Sequence, residues 1–438
     1  MVLRVAIIGG GVGGLAAAIA LRQHPDVDVQ VFERTAEFRE LGALIGLSPN
    51  GLRTLEKLGV EDVLTDEVGW RSPNGVPMHY KTNEILSEDL NHHVPDRRHH
   101  FSRMHRATLQ RAMLKKVPAE ILHLGKKALS AEVDVSGATV HFQDGTSVTA
   151  DIVVGADGIK STIRSTFIPN HELSWSGDAI FRTTFPYSLV SDIPDIAQNS
   201  THYQSPRAWF FGTRIGAQEF GVTCSFHVDE ADPEARFKDV VWNAAAEVDD
   251  IREVFKDFYP PIPTIIDRIP KGTLRRYANV AGAELDQWTF DDRVTLLGDA
   301  AHTHGGAYAA GASLAIDDAY TLYLAITAVF AEAQPISEPV SRYQIGRALR
   351  LYEATRKPHV AKVLKEVHAG RKSAAARSQK VRETGIPETD EAFVARFAQK
   401  GDPVWLNEHD ASTAFRKALL QEVQATPTAD VEEIVARL

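Results

Sequence analysis

Short apolar runs, separated by glycine-rich breaks, set the pattern at the start of the chain. Val5–Ile8 is apolar throughout, as expected of a strand buried on both faces. Gly9 to Gly14 break the run. Leu15–Leu21, rich in Ala and Leu, predicts a helix that Pro25-Asp26 ends. Val27, Val29, Val31 and Phe32 predict a second strand closing on Glu33, so the chain opens as a strand–turn–helix–strand unit. Further on, a helix is predicted from Pro49-Asn50 to Leu58, capped by Gly59, and another over Thr108–Lys116. Between Leu122 and Ala150 the period changes to two. Val133/Val135, Val140/Phe142 and Val148 alternate, and Asp144-Gly145 supplies a hairpin turn.

Strand-type runs of the buried kind recur near residues 5, 30, 153 and 295, which predicts one sheet assembled from separated pieces. Between them Phe181–Phe185, Thr201–Gly212 and Glu219–Val228 read as a second, more exposed sheet. A long helix is expected over Ser313–Phe330, and a basic one over Ser341–Arg377. The basic stretch from Arg347 to Lys372 reads as a solvated face or an oligomer surface. No apolar run comes near the roughly 20 residues needed to span a bilayer.

Composition narrows the class. The chain has 438 residues, 44 % of them hydrophobic and 24 % charged, which is ordinary for a globular protein with a full core. A net charge of −10 makes nucleic acid or an anionic membrane surface a poor partner. Cys224 is the only cysteine, so no internal disulfide forms and secretion gains no support. The N-terminus is too glycine-rich for a signal peptide. A cytoplasmic enzyme is expected, monomeric or homodimeric, although the terminal Ala436-Arg437-Leu438 loosely matches a peroxisomal address.

The first chemistry-bearing motif is Gly9-Gly10-Gly11-Val12-Gly13-Gly14, a G-x-G-x-x-G between a strand and a helix. Gly9 allows the tight turn, Gly11 lets backbone approach a pyrophosphate, and Gly14 lets helix and strand pack. The helix N-terminus then offers free N–H groups to phosphate. Glu33, at the end of the second strand, can accept both ribose hydroxyls and would repel a 2′-phosphate. These features define a dinucleotide site without separating NAD from FAD. No second such motif follows.

Two downstream stretches make the chain recognisable. Ala150 to Arg164, containing Gly155-Ala156-Asp157-Gly158, resembles the Asp-Gly motif of class A flavoprotein monooxygenases. Val294 to His302, containing Gly298-Asp299-Ala300-Ala301-His302, resembles their Gly-Asp motif. His105-Arg106-Ala107-Thr108-Leu109 resembles their His-Arg-x-x-Leu stretch, and Leu41 to Asn50 looks like the flavin-facing loop of salicylate-hydroxylase-like members. The likeness runs from about Leu3 to beyond Tyr352.

It implies an α/β protein: a Rossmann-like FAD-binding domain of discontinuous segments, an inserted mixed β-sheet substrate domain and C-terminal helices. The expected division is 1–70, 100–170 and 276–335 for the FAD domain, 71–99 and 171–275 for the substrate domain, and 336–438 for the helices. The resemblance implies FAD as cofactor and NAD(P)H as transient co-substrate. Dioxygen would act through a hydroperoxyflavin to hydroxylate a small phenolic or aromatic-acid substrate. The residues it assigns to FAD are Gly9, Gly11, Gly14, Glu33, Arg34, Gly46, Arg106, Gln110, Asp157, Asp299, Gly311 and Ala312. Asp157 has two open readings, as an architectural turn residue or as a contact for the nicotinamide nucleotide. Candidates on the substrate side are Arg182, whose guanidinium could orient a carboxylate or phenolate or else form a surface salt bridge, and Tyr308 and His304, each an acid–base group, a shape element or a packing residue.

Two departures from the family pattern stand out. Gly306 replaces a proline and Ala309 a glycine in the loop after His302, and Phe211-Gly212-Thr213 lacks the Tyr-Pro of many relatives. The histidines between Asn91 and Arg106 fit no closed zinc pattern, and no metal is expected. Trp209, Phe210 and Phe211 fit either an aromatic pocket wall or plain sheet core. A halogenase or other flavin oxidoreductase on the same scaffold is the main alternative, but the W-x-W-x-I-P stretch of halogenases is absent. A dinucleotide-sensing regulator would need neither the flavin-facing loop nor the Gly-Asp motif.

Overall fold

The computed structural model describes residues 2–38, 44–72, 76–87, 91–196, 199–229, 235–331, 341–398 and 404–425. Its first sheet has six strands in the order Thr289–Phe290, Val294–Leu296, Ile152–Gly155, Leu3–Ile8, Val27–Phe32 and Leu122–His123. All neighbours are parallel except the first pair. The apolar runs near residues 5, 30, 153 and 295 are therefore adjacent strands, with Val5 beside both Val29 and Ile152. Leu3–Ile8 is buried except for Arg4, which pairs with Asp151 at 2.9 Å where the sheet meets solvent.

The helix Val12–Leu21 packs on this sheet and against the helix Gly311–Ala331. Gly311–Phe330 is long and apolar enough to cross a membrane, which corrects the reading that no such run exists; 78 % of its apolar window is buried inside the protein. Here it is a core helix. It carries Asp317 and Asp318, both fully buried.

The second sheet has seven strands in the order Ala244–Ala245, Arg275–Gly282, Leu173–Pro186, Glu219–His227, Ala208–Ile215, Thr201–Gln204 and Pro77–His79. The expected single run Thr201–Gly212 is two antiparallel strands, because Ser205, Pro206 and Arg207 turn the chain between them. Arg275–Gly282 pairs in this sheet, with Arg275 opposite Arg182. The expected cut at 275/276 therefore falls at the start of a strand of the inserted sheet and needs to move beyond it. Val135, expected in a strand, is 94 % exposed in the turn between Ala128–Val133 and Ala138–Phe142.

Strand alternation gives the second sheet two unlike faces. On one face Phe181, Phe185, Tyr203, Phe210, Phe220, Val222 and Cys224 form an apolar core with the helices Asp249–Phe255 and Pro261–Asp267. On the other, cross-strand pairing lines up His202, Phe211, Thr223, Arg182 and Arg275 in one row. The adjoining row is Gln204, Trp209, Ser225, Ile180 and Tyr277. Trp209 and Phe211 thus share the polar face, and Phe210 belongs to the core.

The helix Arg342–Thr384 runs from the first sheet to the second. Arg347 pairs with Glu422 and Arg350 with Asp292, while Arg356 is fully buried. The expectation of a simply solvated basic face fails at Arg356, because its partner Asp318 lies in the core.

Candidate active site

The glycine loop is built as its spacing implies. Gly9 has φ +112, and a Cβ there would stand 2.4 Å from the Ala156 carbonyl oxygen, so only glycine fits. A Cβ on Gly14 would stand 1.9 Å from the Gly9 carbonyl oxygen. Gly11 differs: a Cβ there would meet nothing within 4 Å. Open space therefore lies beside the backbone where the helix Val12–Leu21 begins, as a diphosphate needs.

Glu33 reaches back to this turn, accepting from the Gly10 amide at 2.7 Å with one oxygen and from the Thr35 amide at 2.9 Å with the other. Gln110 donates to the Gly10 carbonyl at 3.2 Å, while Arg106, one turn earlier on the same helix, is exposed. Arg34 is exposed beside Glu33. Among the residues of the flavin-facing loop, Leu41, Gly42 and Ala43 lie outside the described residues. Of the remainder, Leu44–Leu47 is a strand paired with Ser102–His105, and Ser48 leads into the helix Pro49–Lys57.

Asp157 works as a helix cap. It accepts from the Ser161 hydroxyl and from the Thr162 and Ile163 amides at 2.7 and 3.2 Å, at the start of the helix Thr162–Phe167. Burial pushes its carboxyl pKa up, and those donors oppose the rise. The geometry supports the architectural reading of this residue. Asp299 is unlike it. Its side chain is exposed at the end of the first sheet, and one carboxylate oxygen lies 3.9 Å from where a Cβ of Gly311 would be.

The turn carrying Asp299 is held from beneath. Asp318 accepts from the Gly298 amide at 3.0 Å, His302 Nε2 at 2.6 Å and Arg356 Nε at 2.7 Å. Burial alone would raise the Asp318 pKa, but His302 and Arg356 hold it well below the usual carboxylate range. Its neighbour Asp317 accepts from Asn50 at 2.8 Å and Thr54 at 2.6 Å, and burial pushes its pKa up. Sequence reading missed this cluster. Asp318 and Arg356 are 38 residues apart, and only the packing of their helices joins them.

The loop 305–309 is conformationally unusual. Gly305, Gly306, Tyr308 and Ala309 all have φ between +51 and +71. A Cβ on Gly46 would touch the Ala309 methyl at 3.1 Å, and one on Gly306 would lie 3.8 Å from Arg182 Nη2. A Cβ on Gly305 would lie 2.6 Å from Asn279 Oδ1. The loop therefore sits between the strand Leu44–Leu47 and the polar face of the seven-stranded sheet. Arg182 reaches it from that sheet, with its guanidinium 5.5 Å from the Tyr277 ring centre and no ion-pair partner among the described residues. Burial lowers its pKa.

His304 is 3 % exposed, and both its ring nitrogens lack a partner among the described residues. Nε2 lies 3.2 Å from where a Cβ of Gly311 would be, at the start of the long core helix. Burial lowers its pKa and keeps it neutral. Tyr308 follows in the same loop. Its ring packs with Ala310, Leu314, Val363 and Leu406, toward the C-terminal helices, so it serves that packing. The histidines from 92 to 105 disperse: His99 bonds Glu56, His100 bonds the Val94 carbonyl, and His105 lies 3.7 Å from Glu219.

An open backbone at Gly11, an exposed carboxylate at Asp299 and a helix start beside an unpartnered imidazole lie along one end of the parallel sheet. That arrangement fits an extended dinucleotide with a flavin at its far end.

A family model described as FAD binding domain matches residues 2–249 and 266–366, and the chain belongs to that family. The chain is 26 % identical over 375 residues to 6-hydroxynicotinate 3-monooxygenase of Pseudomonas fluorescens, covering 83 % of this chain and 90 % of that one. It is 29 % identical over 374 residues to 3-amino-4-hydroxybenzoate 2-monooxygenase of Streptomyces cremeus, covering 82 % and 85 %. A solved salicylate hydroxylase–substrate complex superposes with a TM-score of 0.74 at 21 % identity, covering 95 % of this chain and 98 % of that one, a likeness of fold. The protein is an FAD-dependent, NAD(P)H-consuming monooxygenase of the class A aromatic-hydroxylase type.

Proposed function

We propose that the enzyme hydroxylates a phenol or hydroxylated aromatic acid that lies between the loop 305–309 and the polar face of the seven-stranded sheet, with Arg182 gripping its anionic group. The observation that carries this reading is the Arg182 guanidinium, crowded by protein, unpaired among the described residues and aimed at Gly306. A guanidinium in such a place is stabilised by an anion that forms two hydrogen bonds with it. The two monooxygenases named above act on hydroxylated, carboxylated aromatic rings, which fits.

When bound, FAD supplies reduction by NAD(P)H and activation of dioxygen. The chain does the rest. Gly11 and the following helix amides would receive the diphosphate, Glu33 and Arg34 the ribose end, and Asp299 with Arg106 the chain between the rings. The amides at Gly311 and Ala312, at the start of the long core helix, would face the ring end of the cofactor and could stabilise negative charge there. Trp209 and Phe211 supply flat apolar wall against a substrate ring. Arg182 favours the ionised hydroxyl, which makes the ring electron-rich, and His304, kept neutral by burial, can accept a proton beside Gly311.

The test is NAD(P)H oxidation by the holoenzyme across a panel of phenols and hydroxybenzoates, with product masses. Consumption coupled to a gain of one oxygen is expected. Arg182→Ala should raise KM for the anionic substrate about 10- to 100-fold with FAD retained. Unchanged kinetics would remove Arg182 from the site.

A further inference from the structure

A second arginine reaches the polar face of the seven-stranded sheet. Arg103 lies on the strand Ser102–His105, opposite Gly46 in the antiparallel pair. Paired residues point to the same side of a ribbon, so Arg103 shares the side on which a Gly46 Cβ would meet Ala309. Gly46 has no side chain to cover it.

The Arg103 guanidinium stacks over Phe101 at 4.1 Å and reaches Phe211 at 5.3 Å. Phe211 is in the same cross-strand row as Arg182, two strands away through Thr223. Two strand spacings are about 10 Å. Arg103, held against Phe211, and Arg182 therefore stand at two points of one row on the polar face, about two strand spacings apart at the backbone.

Neither has an ion-pair partner among the described residues. The hydrogen bond found for the Arg103 guanidinium goes to the neighbouring Ser102 carbonyl at 3.5 Å. Burial pulls its pKa down to about 9, with no acid among the described residues opposing the fall. Two crowded guanidiniums without carboxylates are unusual in a chain with net charge −10. Such groups are costly unless a ligand brings the missing charge.

We infer that Arg103 is the carboxylate anchor of this enzyme and that its substrate class is an aromatic ring with a carboxylate and an ionisable hydroxyl on opposite sides, the first held by Arg103 and the second by Arg182. Contact with the Phe101 and Phe211 rings restrains the Arg103 guanidinium, whose planar fork can meet both carboxylate oxygens at once. This inference rests on the hydroxylase reading proposed for the site.

The test uses the FAD-loaded full chain and, as probes, the three monohydroxybenzoates with their methyl esters, which keep the shape and remove the charge. Dissociation constants are read from the flavin absorbance change on titration, beside NAD(P)H consumption. In the wild type, at least one hydroxybenzoate should bind 10- to 100-fold more tightly than its ester. Arg103→Met should abolish that preference while leaving ester binding and FAD occupancy unchanged, and Arg103→Lys should restore part of it.

Should Arg103→Met fail to fold, Arg103→Lys still decides the point, since a point charge replaces a planar fork and the preference must shrink. An acid-over-ester preference that stays at its wild-type size in either variant overturns the inference. So does loss of FAD from folded Arg103→Lys, which would assign the arginine to the cofactor. A wild type that hydroxylates no member of the panel and no other phenol would instead overturn the hydroxylase reading itself.

Discussion

Gly11 and Gly14 offer a direct way to separate a cofactor cradle from a tight turn, because their surroundings differ so sharply. Gly11 has φ −74 and ψ −175, ordinary for any residue, and a Cβ there meets open space. Gly11→Ala should therefore leave the apoprotein's stability within about 0.5–1 kcal/mol of wild type, because the gain from a stiffer unfolded chain opposes the poorer helix cap. The added methyl occupies the face through which a diphosphate approaches the backbone. Losing one charge-assisted hydrogen bond there costs about 1.5–3 kcal/mol, or roughly 10- to 150-fold in FAD affinity. In Gly14→Ala the methyl would press to 1.9 Å from a backbone oxygen that cannot swing aside. That variant should lose about 3 kcal/mol or more of stability, if it folds at all. The assay is urea unfolding of the apoproteins, paired with FAD titration followed by flavin fluorescence. Wild-type FAD affinity in Gly11→Ala would refute the cradle, and a stable Gly14→Ala would refute the packing.

Asp299→Ala should lose FAD yet stay folded, within about 0.5 kcal/mol of the wild-type apoprotein, because its carboxylate is exposed and removing it strands no buried group; full flavin occupancy in the variant would count against the assignment. Stability should also fall with acid. Burial, with Arg356 adding to it, lowers the pKa of His359 to about 2 and that of the stacked His409 to about 3. Both are depressed below the unfolded value of about 6.5, so the stability they permit is complete above pH 6.5 and lost as pH falls from there toward 3. Between pH 7 and 5 the pair should cost on the order of 4 kcal/mol. Urea melts at the two pH values read this directly, and a His359→Phe variant with the wild-type pH slope would refute the assignment.

How much of this was legible in sequence depended on whether the cause was local. Val5–Ile8 predicts a buried strand because its apolar run is itself the signal, and Gly9, Gly11 and Gly14 carry their roles in their spacing. The capping by Asp157 also had a local signal, since Ser161 and the helix start follow directly. Arg356 was misread for the opposite reason. It sits in a basic stretch whose other charges are exposed or paired at the surface, and only the crossing of two helices puts it on Asp318. Arg103 gave no warning at all, lying among histidines and arginines in a segment that reads as a charged loop. Its significance comes from register: opposite Gly46 in one ribbon and against Phe211 of another sheet. The polar face of the second sheet was partly readable, because Arg182 and Thr184 alternate with Phe181, Thr183 and Phe185, yet nothing in that alternation says which loop it meets.

The departures at Gly306 and Ala309 gain a physical sense from this arrangement. Asp318 fastens the Gly-Asp turn by three hydrogen bonds to groups that are themselves buried, so that turn has little freedom to vary. The loop that follows has no such support, and its path is set by four residues with positive φ. Ala309 takes that conformation where relatives carry glycine, at a cost of about 1 kcal/mol. The methyl that causes the cost is the atom standing over Gly46, on the side where Arg103 is uncovered. At Gly306 the reverse exchange removes a proline ring from the place nearest Arg182. One substitution adds bulk beside the first arginine and the other opens space beside the second. Both changes act on the volume between the two guanidiniums and neither touches the dinucleotide cradle, which is what a shift in substrate shape on an unchanged cofactor scaffold requires.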